Sequence, residues 1–235
     1  MKKFHAIVIG ATGAVGRLLV SQLLENSNIK SVTIFVRKNI ISENKKLIVN
    51  KIDFSNIDKY EHKIVGDVLF SAIGTTLKDA GSKKKQYLVD YTYQYNFARI
   101  ALKNGVKNYL LVSTVGANSK SLFFYPKIKG ALENDITSLG FQRIQIFRPA
   151  SLIRPLDLLR KSEKLLINIL ILLNKLGLLH SLKPLKVEDL AKFMIDKFFE
   201  YKSSKTTIYD LREILKSWLF TINIALISKA SEQKS

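Results

Sequence analysis

The chain has 235 residues, 47% of them hydrophobic, which is enough for one sizeable core and short for two comfortable domains. It contains no cysteine, which excludes disulfides, thiolate metal sites and cysteine nucleophiles and is compatible with a reducing cytosol, so a cytoplasmic placement is expected. A formal net charge of +19 raises nucleic acid or an anionic membrane surface as partners.

The lysines, however, are scattered, and Lys83-Lys84-Lys85 is the one run of three. No zinc-finger spacing, basic heptad or aromatic RNA-binding motif accompanies them, so nucleic acid is not expected. A solvated lysine-rich surface, or weak contact with acidic lipid head groups, is.

Met1-Lys2-Lys3 looks like the charged start of a signal peptide. The apolar stretch behind it is shorter than a signal core of about 7–15 residues, and it reads instead as a first buried strand. It runs into Gly10-Ala11-Thr12-Gly13-Ala14-Val15-Gly16, and a helical pattern follows. Strand, glycine turn and helix start in that order cradle a dinucleotide pyrophosphate. Gly10 permits the tight turn, Gly13 lets backbone approach phosphate, and Gly16 lets the helix pack close to the strand; Thr12, Ala14 and Val15 complete the cofactor-binding turn. The helix N-terminus adds unpaired N–H groups and a partial positive charge.

Further apolar runs at 32–36, 47–52, 68–73, 109–112 and 144–147 alternate with helical patterns at 13–25, 86–104 and 128–138. Nearly continuous apolar strands belong to a parallel sheet covered on both faces. The expected fold is α/β: a Rossmann-like doubly wound parallel sheet with helices on both faces, and a small C-terminal helical region on the substrate side. Gly105 and Gly140 read as helix C-terminal caps. Beyond Pro149, helices are expected at 156–179 and 187–201, with a weak strand at 206–209. The expected division is a core over 1–150, a substrate-side segment over 151–217, and an apolar-then-polar tail over 218–235. The apolar stretches at 165–173 and 218–227 are too short for the roughly 20 residues of a membrane span.

The ends of the strands carry the candidate chemistry. NAD-binding chains place an acid about 20 residues after the glycine motif, to hold the adenosine ribose. Arg37 stands there instead, beside Lys38. Two cations suit a 2′-phosphate, so NADP(H) is favoured over NAD(H). Asp53 could accept from the adenine amino group with Phe54 packed on the ring, or it could cap a short helix near 56–59. Ala72-Ile73-Gly74-Thr75 is a small-residue edge against which cofactor sugars could lie.

Ser113 ends the fifth strand, and Tyr125-x-x-x-Lys129 follows. At helical spacing the tyrosine and lysine share one face. An ammonium near the phenol favours phenolate, which fits Tyr125 for proton exchange with a substrate hydroxyl or carbonyl, and Ser113 could donate to the same oxygen. His5, His62 and His180 are not spaced with a second ligand, and no metal is expected.

Taken together, Gly10-x-x-Gly13-x-x-Gly16, Ser113 and Tyr125-x-x-x-Lys129 resemble the short-chain dehydrogenase/reductase superfamily in its atypical branch. More closely, the chain resembles the Tat-interacting-protein oxidoreductases. The resemblance is carried by residues 9–17, 72–76 and 111–117, by Tyr125-Pro126-Lys127-Ile128-Lys129-Gly130 and by Phe147-Arg148-Pro149. It implies a Rossmann fold that binds NADPH, with an arginine at the position of Arg37. It also implies Ser113, Tyr125 and Lys129 as the catalytic set, and Arg148 and Pro149 bordering the nicotinamide end. The expected partner is a small-molecule substrate, the expected assembly a monomer or homodimer. The expected activity is NADP(H)-dependent oxidation or reduction of a carbonyl or alcohol, with cofactor sensing without turnover as the alternative.

Overall fold

The computed structural model describes residues 2–150, 152–153, 185–200 and 205–215. The expected helix at 156–179, His180 and the tail beyond residue 217 lie outside them. Within the described residues, β1 (Phe4–Ile9), β2 (Ile29–Val36), β3 (Leu47–Lys51), β4 (Val68–Ser71), β5 (Asn108–Val112), β6 (Arg143–Phe147) and β9 (Thr206–Tyr209) form one sheet. The order is β3-β2-β1-β4-β5-β6-β9, and every pairing is parallel. The weak strand expected at 206–209 is therefore the edge of the main sheet. A separate two-residue ladder pairs β7 (Leu152–Ile153) with β8 (Leu185–Lys186).

The sheet explains the unbroken apolar runs. In β1, Ala6 and Val8 face one layer while Ile7 and Ile9 face the other, as the two-residue period of a strand requires. On the first face lie α1 (Ala14–Glu25) and α6 (Val187–Phe199), contributing Leu19, Leu23, Leu190 and Met194. On the second lie α4 (Tyr93–Lys103) and α5 (Phe124–Leu139), contributing Phe97, Ala101, Leu132 and Ile136.

Three elements differ from the sequence expectation in ways that shape the site. The fourth strand stops at Ser71 rather than residue 73: the Ala72 N–H still reaches the Ile9 carbonyl (2.9 Å), but the chain then turns over the sheet edge. The helix expected at 86–104 begins at Lys83 and is interrupted by a π turn over Leu88–Thr92 that joins α3 (Lys83–Tyr87) to α4. The helix expected at 128–138 starts earlier, at Phe124, because Pro126 falls in the first turn, where backbone N–H groups have no intrahelical partner to lose. A four-residue helix, α2 (Leu77–Ala80), carries no sequence signal strong enough to predict; the Thr76 hydroxyl caps it by accepting from the Asp79 N–H (3.2 Å). Gly140 ends α5 in the left-handed region, and Gly105 at φ +85° follows the end of α4, both as expected.

Candidate cofactor and active site

The order of the sheet reverses direction between β1 and β4, and ligands of open α/β sheets bind at the carboxyl ends of the strands beside such a point. A cavity of about 740 Å³ opens there. One wall is the glycine turn after β1. Gly10 adopts φ +85°, and a Cβ on it would lie 2.5 Å from the Ala72 carbonyl carbon. A Cβ on Gly16 would fall on the Gly10 carbonyl oxygen. Gly13 is the extended N-cap of α1 and provides no side chain to its first N–H groups. Those donors are therefore left for an anion, so the turn fits a pyrophosphate.

Of the residues singled out in the sequence, Gly13, Ala14, Val15, Ala72, Ile73, Gly74, Thr75, Ser113, Tyr125, Lys129 and Pro149 line this cavity. Gly10, Thr12 and Gly16 belong to the turn but are not on its lining. Arg37 and Lys38 are exposed just past the end of β2. Ile9 pairs with Phe35, so Arg37 stands on the same sheet edge as the glycine turn, one strand over.

Asp53 and Phe54 are not part of the cavity lining. Asp53 is the N-cap of the 3-10 segment Phe54–Lys63: its carboxylate accepts from the Ser55 N–H (2.9 Å) and the Asn56 side chain (2.6 Å). The Asn56 bond, with that from Ser55, holds its carboxyl below the ordinary range. Phe54 is buried and packs on Tyr93, with ring centroids 5.7 Å apart. Of the two roles open for Asp53 in the sequence, capping is the one the described contacts occupy.

Tyr125 and Lys129 lie one turn apart at the start of α5 and both face the cavity. Lys129 is buried, and its Nζ donates to the Val112 carbonyl at the end of β5 (3.0 Å). Burial lowers its pKa, and the carboxylates of Asp90 and Glu133 oppose that shift. The helix can sit this close because Gly130 has no side chain: a Cβ there would collide with the backbone between Asn118 and Ser119.

Ser113 differs from its expected arrangement. Its hydroxyl donates to Glu133 rather than standing free toward the cavity. The same Glu133 accepts two bonds from Arg148, Nε to Oε1 at 3.1 Å and Nη2 to Oε2 at 2.5 Å. That carboxylate strengthens the hold of Arg148 on its proton. Arg148 is thus bonded to Glu133 and does not line the cavity.

Two acidic residues escaped the sequence reading. Glu133 sits four residues after Lys129, a spacing that could have revealed it. Asp90 lies inside a helical pattern with nothing local to mark it. It is fully buried, its Oδ2 accepts from the Thr75 N–H (3.2 Å), and burial raises its pKa to about 6 against the pull of Lys129. Gln86 and Gln94 support the same corner: Gln86 donates to the Thr75 carbonyl (3.3 Å), and Gln94 donates to the Asp90 carbonyl (2.9 Å) and accepts from Ser71 (2.7 Å).

A glycine cradle at the switch point of a parallel sheet, with a tyrosine and lysine beside a strand end two strands over, defines a Rossmann-type nucleotide-binding protein. The chain belongs to the NAD(P)H-binding family, whose model matches residues 10–136. It is 37% identical over 151 residues to "Protein FMP52, mitochondrial" of Candida albicans, covering 62% of this chain and 66% of that protein. It is 32% identical over 157 residues to "Protein HTATIP2" of Rattus norvegicus, covering 65% and 64%. The chain thus spans just under two thirds of the length of these relatives, and the likeness to the Tat-interacting-protein group is present in sequence.

Among solved structures, the Bordetella bronchiseptica enzyme WbmH in complex with NAD+ superposes with a TM-score of 0.66 at 15% identity, covering 88% of this chain and 75% of that one. A short-chain dehydrogenase family protein from Francisella tularensis gives 0.63 at 17% identity, with 90% and 98% covered. At such identities these neighbours speak for the fold.

The cytoplasmic expectation is corrected by the relatives. The proteins from Candida albicans, Debaryomyces hansenii and Kluyveromyces lactis are all named mitochondrial. The lack of cysteine on which the expectation rested permits a reducing environment and specifies no compartment.

Proposed function

We propose that this chain is an NADP(H)-dependent oxidoreductase acting on a small carbonyl or alcohol. The observation that carries the reading is the shared cavity: Gly13–Val15, Gly74–Thr75, Tyr125 and Lys129 all face one space. The phosphate turn and the proton-transfer pair would thus meet opposite ends of one bound dinucleotide.

In this reading the cofactor supplies the hydride. The chain's share is placement and a proton. The bare N-terminus of α1 would hold the pyrophosphate. Arg37 and Lys38 would receive the 2′-phosphate, a role favoured by their place on the same sheet edge and by the absence of an acid there. Tyr125 would exchange its phenolic proton with the substrate oxygen. Lys129 would hold the nicotinamide ribose and favour the phenolate. Ser113 would orient the substrate oxygen once its hydroxyl turns from Glu133, and Pro149 would border the nicotinamide end. Residues beyond 150 would form the substrate-side wall, since Ala150 and Leu152 line the cavity.

A second reading, cofactor binding without turnover, is favoured by one observation: the Ser113 hydroxyl is committed to Glu133. NADPH oxidation over a panel of aldehydes and ketones separates the two. Turnover abolished by Tyr125→Phe supports the oxidoreductase; turnover that survives the change removes Tyr125 from the mechanism.

A further inference from the structure

Asp90 is a buried acid that the roles assigned above leave unused. It sits on the π turn Leu88–Thr92, a local widening of helical backbone that is frequent at functional sites. Its Oδ2 accepts from Thr75, but its Oδ1 is buried with no hydrogen-bond partner among the described residues. That oxygen lies 3.5 Å from where a Cβ of Gly74 would stand, and Gly74 lines the cavity. A buried carboxylate oxygen left unpaired is costly, and a use of its charge would account for it.

α5 packs against this π turn, where the Tyr91 hydroxyl donates to Asp135, and Lys129 of α5 lines the same cavity as Gly74. No hydrogen bond or ion pair joins Lys129 to Asp90 among the described residues, and the ammonium acts on that carboxyl through space. Among the described residues the Lys129 Nζ makes one hydrogen bond, to Val112, out of three it can donate. The other carboxylate near Lys129 is Glu133, which also comes from α5 and is already tied to Arg148 and Ser113. The remaining side chains hydrogen-bonded around Asp90 and Thr75, Gln86 on α3 and Gln94 on α4, are uncharged. Of the two acids acting on Lys129, Asp90 is thus the one with an uncommitted oxygen.

We propose that Asp90 is a positioning residue for Lys129: its uncommitted oxygen beside Gly74 is the counter-charge to the buried ammonium on the same cavity. The inference deepens the proposed function, since it rests on Lys129 serving the nicotinamide end, yet the coupling itself can be read without turnover. Asp90 and Lys129 hold each other charged: remove either, and the other shifts toward its neutral form.

The test uses four full-length chains: the natural one, Asp90→Asn, Lys129→Met and the double variant. Melting temperature is followed without cofactor from pH 4 to pH 8. The folded-state pKa of Asp90, about 6, lies above its ordinary value. The native state therefore binds the extra proton, and this group's contribution to stability falls as pH rises from about 4 to about 6. Asp90→Asn should flatten that fall. Lys129→Met should move its end upward by about one pH unit or more, and the double variant should show neither effect. An unchanged position of the fall in Lys129→Met overturns the proposal, and that variant decides the matter even if Asp90→Asn does not fold.

NADPH binding, followed by its fluorescence from pH 6 to pH 9, supplies a second reading. Asp90→Asn should bring the alkaline weakening of binding down by about one pH unit or more, which a packing role would not do. Identical alkaline limbs in the two chains also overturn the proposal. If the coupling shifts appear but no chain turns over any carbonyl, the oxidoreductase reading fails while the Asp90–Lys129 pair stands.

Discussion

Arg148 grips Glu133 with two parallel bonds, 3.1 and 2.5 Å, and so fixes the carboxylate to which Ser113 donates. The arginine reaches from the end of β6 to the middle of α5 and ties the floor of the site to the helix that carries Tyr125 and Lys129. Bidentate pairing of this kind sets direction as well as energy.

Arg148→Met should therefore destabilise the fold. It leaves Glu133, nearly fully buried, without its counter-charge, and removing one partner of a buried pair costs about 3–5 kcal/mol. Arg148 is itself partly exposed, so the lower end is expected. Urea unfolding reads the loss, and Arg148→Met with Glu133→Gln should recover part of it.

Arg37→Glu should reverse cofactor preference. The substitution places an acid where a ribose diol can be held and removes a cation that a 2′-phosphate needs. Thermal shift reads the result: the natural chain should be stabilised more by NADPH than by NADH, and the variant more by NADH. Equal shifts in the natural chain would count against the assignment of Arg37.

Tyr125→Phe should lower turnover by about a hundredfold or more, the usual size of a general acid–base contribution. NADPH affinity should stay within about twofold, because the phenol acts on the substrate oxygen and not on the phosphates. Steady-state rates and fluorescence titration on one preparation test both halves.

Gly16→Ala and Gly130→Ala should each destabilise the protein, for steric reasons at different places. The first sets a methyl group on the Gly10 carbonyl and would also deform the phosphate turn. The second pushes α5 off the backbone at Asn118 and Ser119. Crowding of this kind costs about 1–3 kcal/mol. NADPH should restore the melting temperature less fully in Gly16→Ala than in Gly130→Ala, since only the former disturbs the anion site directly.

What could be read in the sequence follows from how locally each feature is specified. The glycine turn is legible because strand, turn and helix are consecutive and each residue type answers a short-range demand. The strands are legible because a sheet covered on both faces makes them continuously apolar, as in β1 and β5. The 2-residue error at the end of β4 and the early start of α5 are boundary effects set by tertiary contacts: Ala72 turns under Gly10, and Pro126 is tolerated in a first turn. Asp90 and Glu133 are a different matter. Their settings depend on residues 39 and 15 positions away, Lys129 and Arg148, brought near by the packing of α5 against the π turn and the end of β6. Helical spacing from Lys129 marks Glu133 as sharing its face of α5, but no periodicity announces the approach of Arg148 to Glu133 or of Lys129 to Asp90. Asp53 shows the converse: its local capping geometry was one of two readings open in the sequence, and the structure displays that one.

The parallel ladder of Leu152–Ile153 with Leu185–Lys186 joins two segments far apart in sequence, beside the cavity that Leu152 lines. Closing a loop grows costlier only with the logarithm of its length. A pairing between distant segments is therefore closed at a cost that depends weakly on their separation. The main sheet closes on its own ladder, with Phe147 paired to Tyr209. The fold thus sets the glycine turn on one ladder and Leu152, on another part of the cavity wall, on a second and separate one.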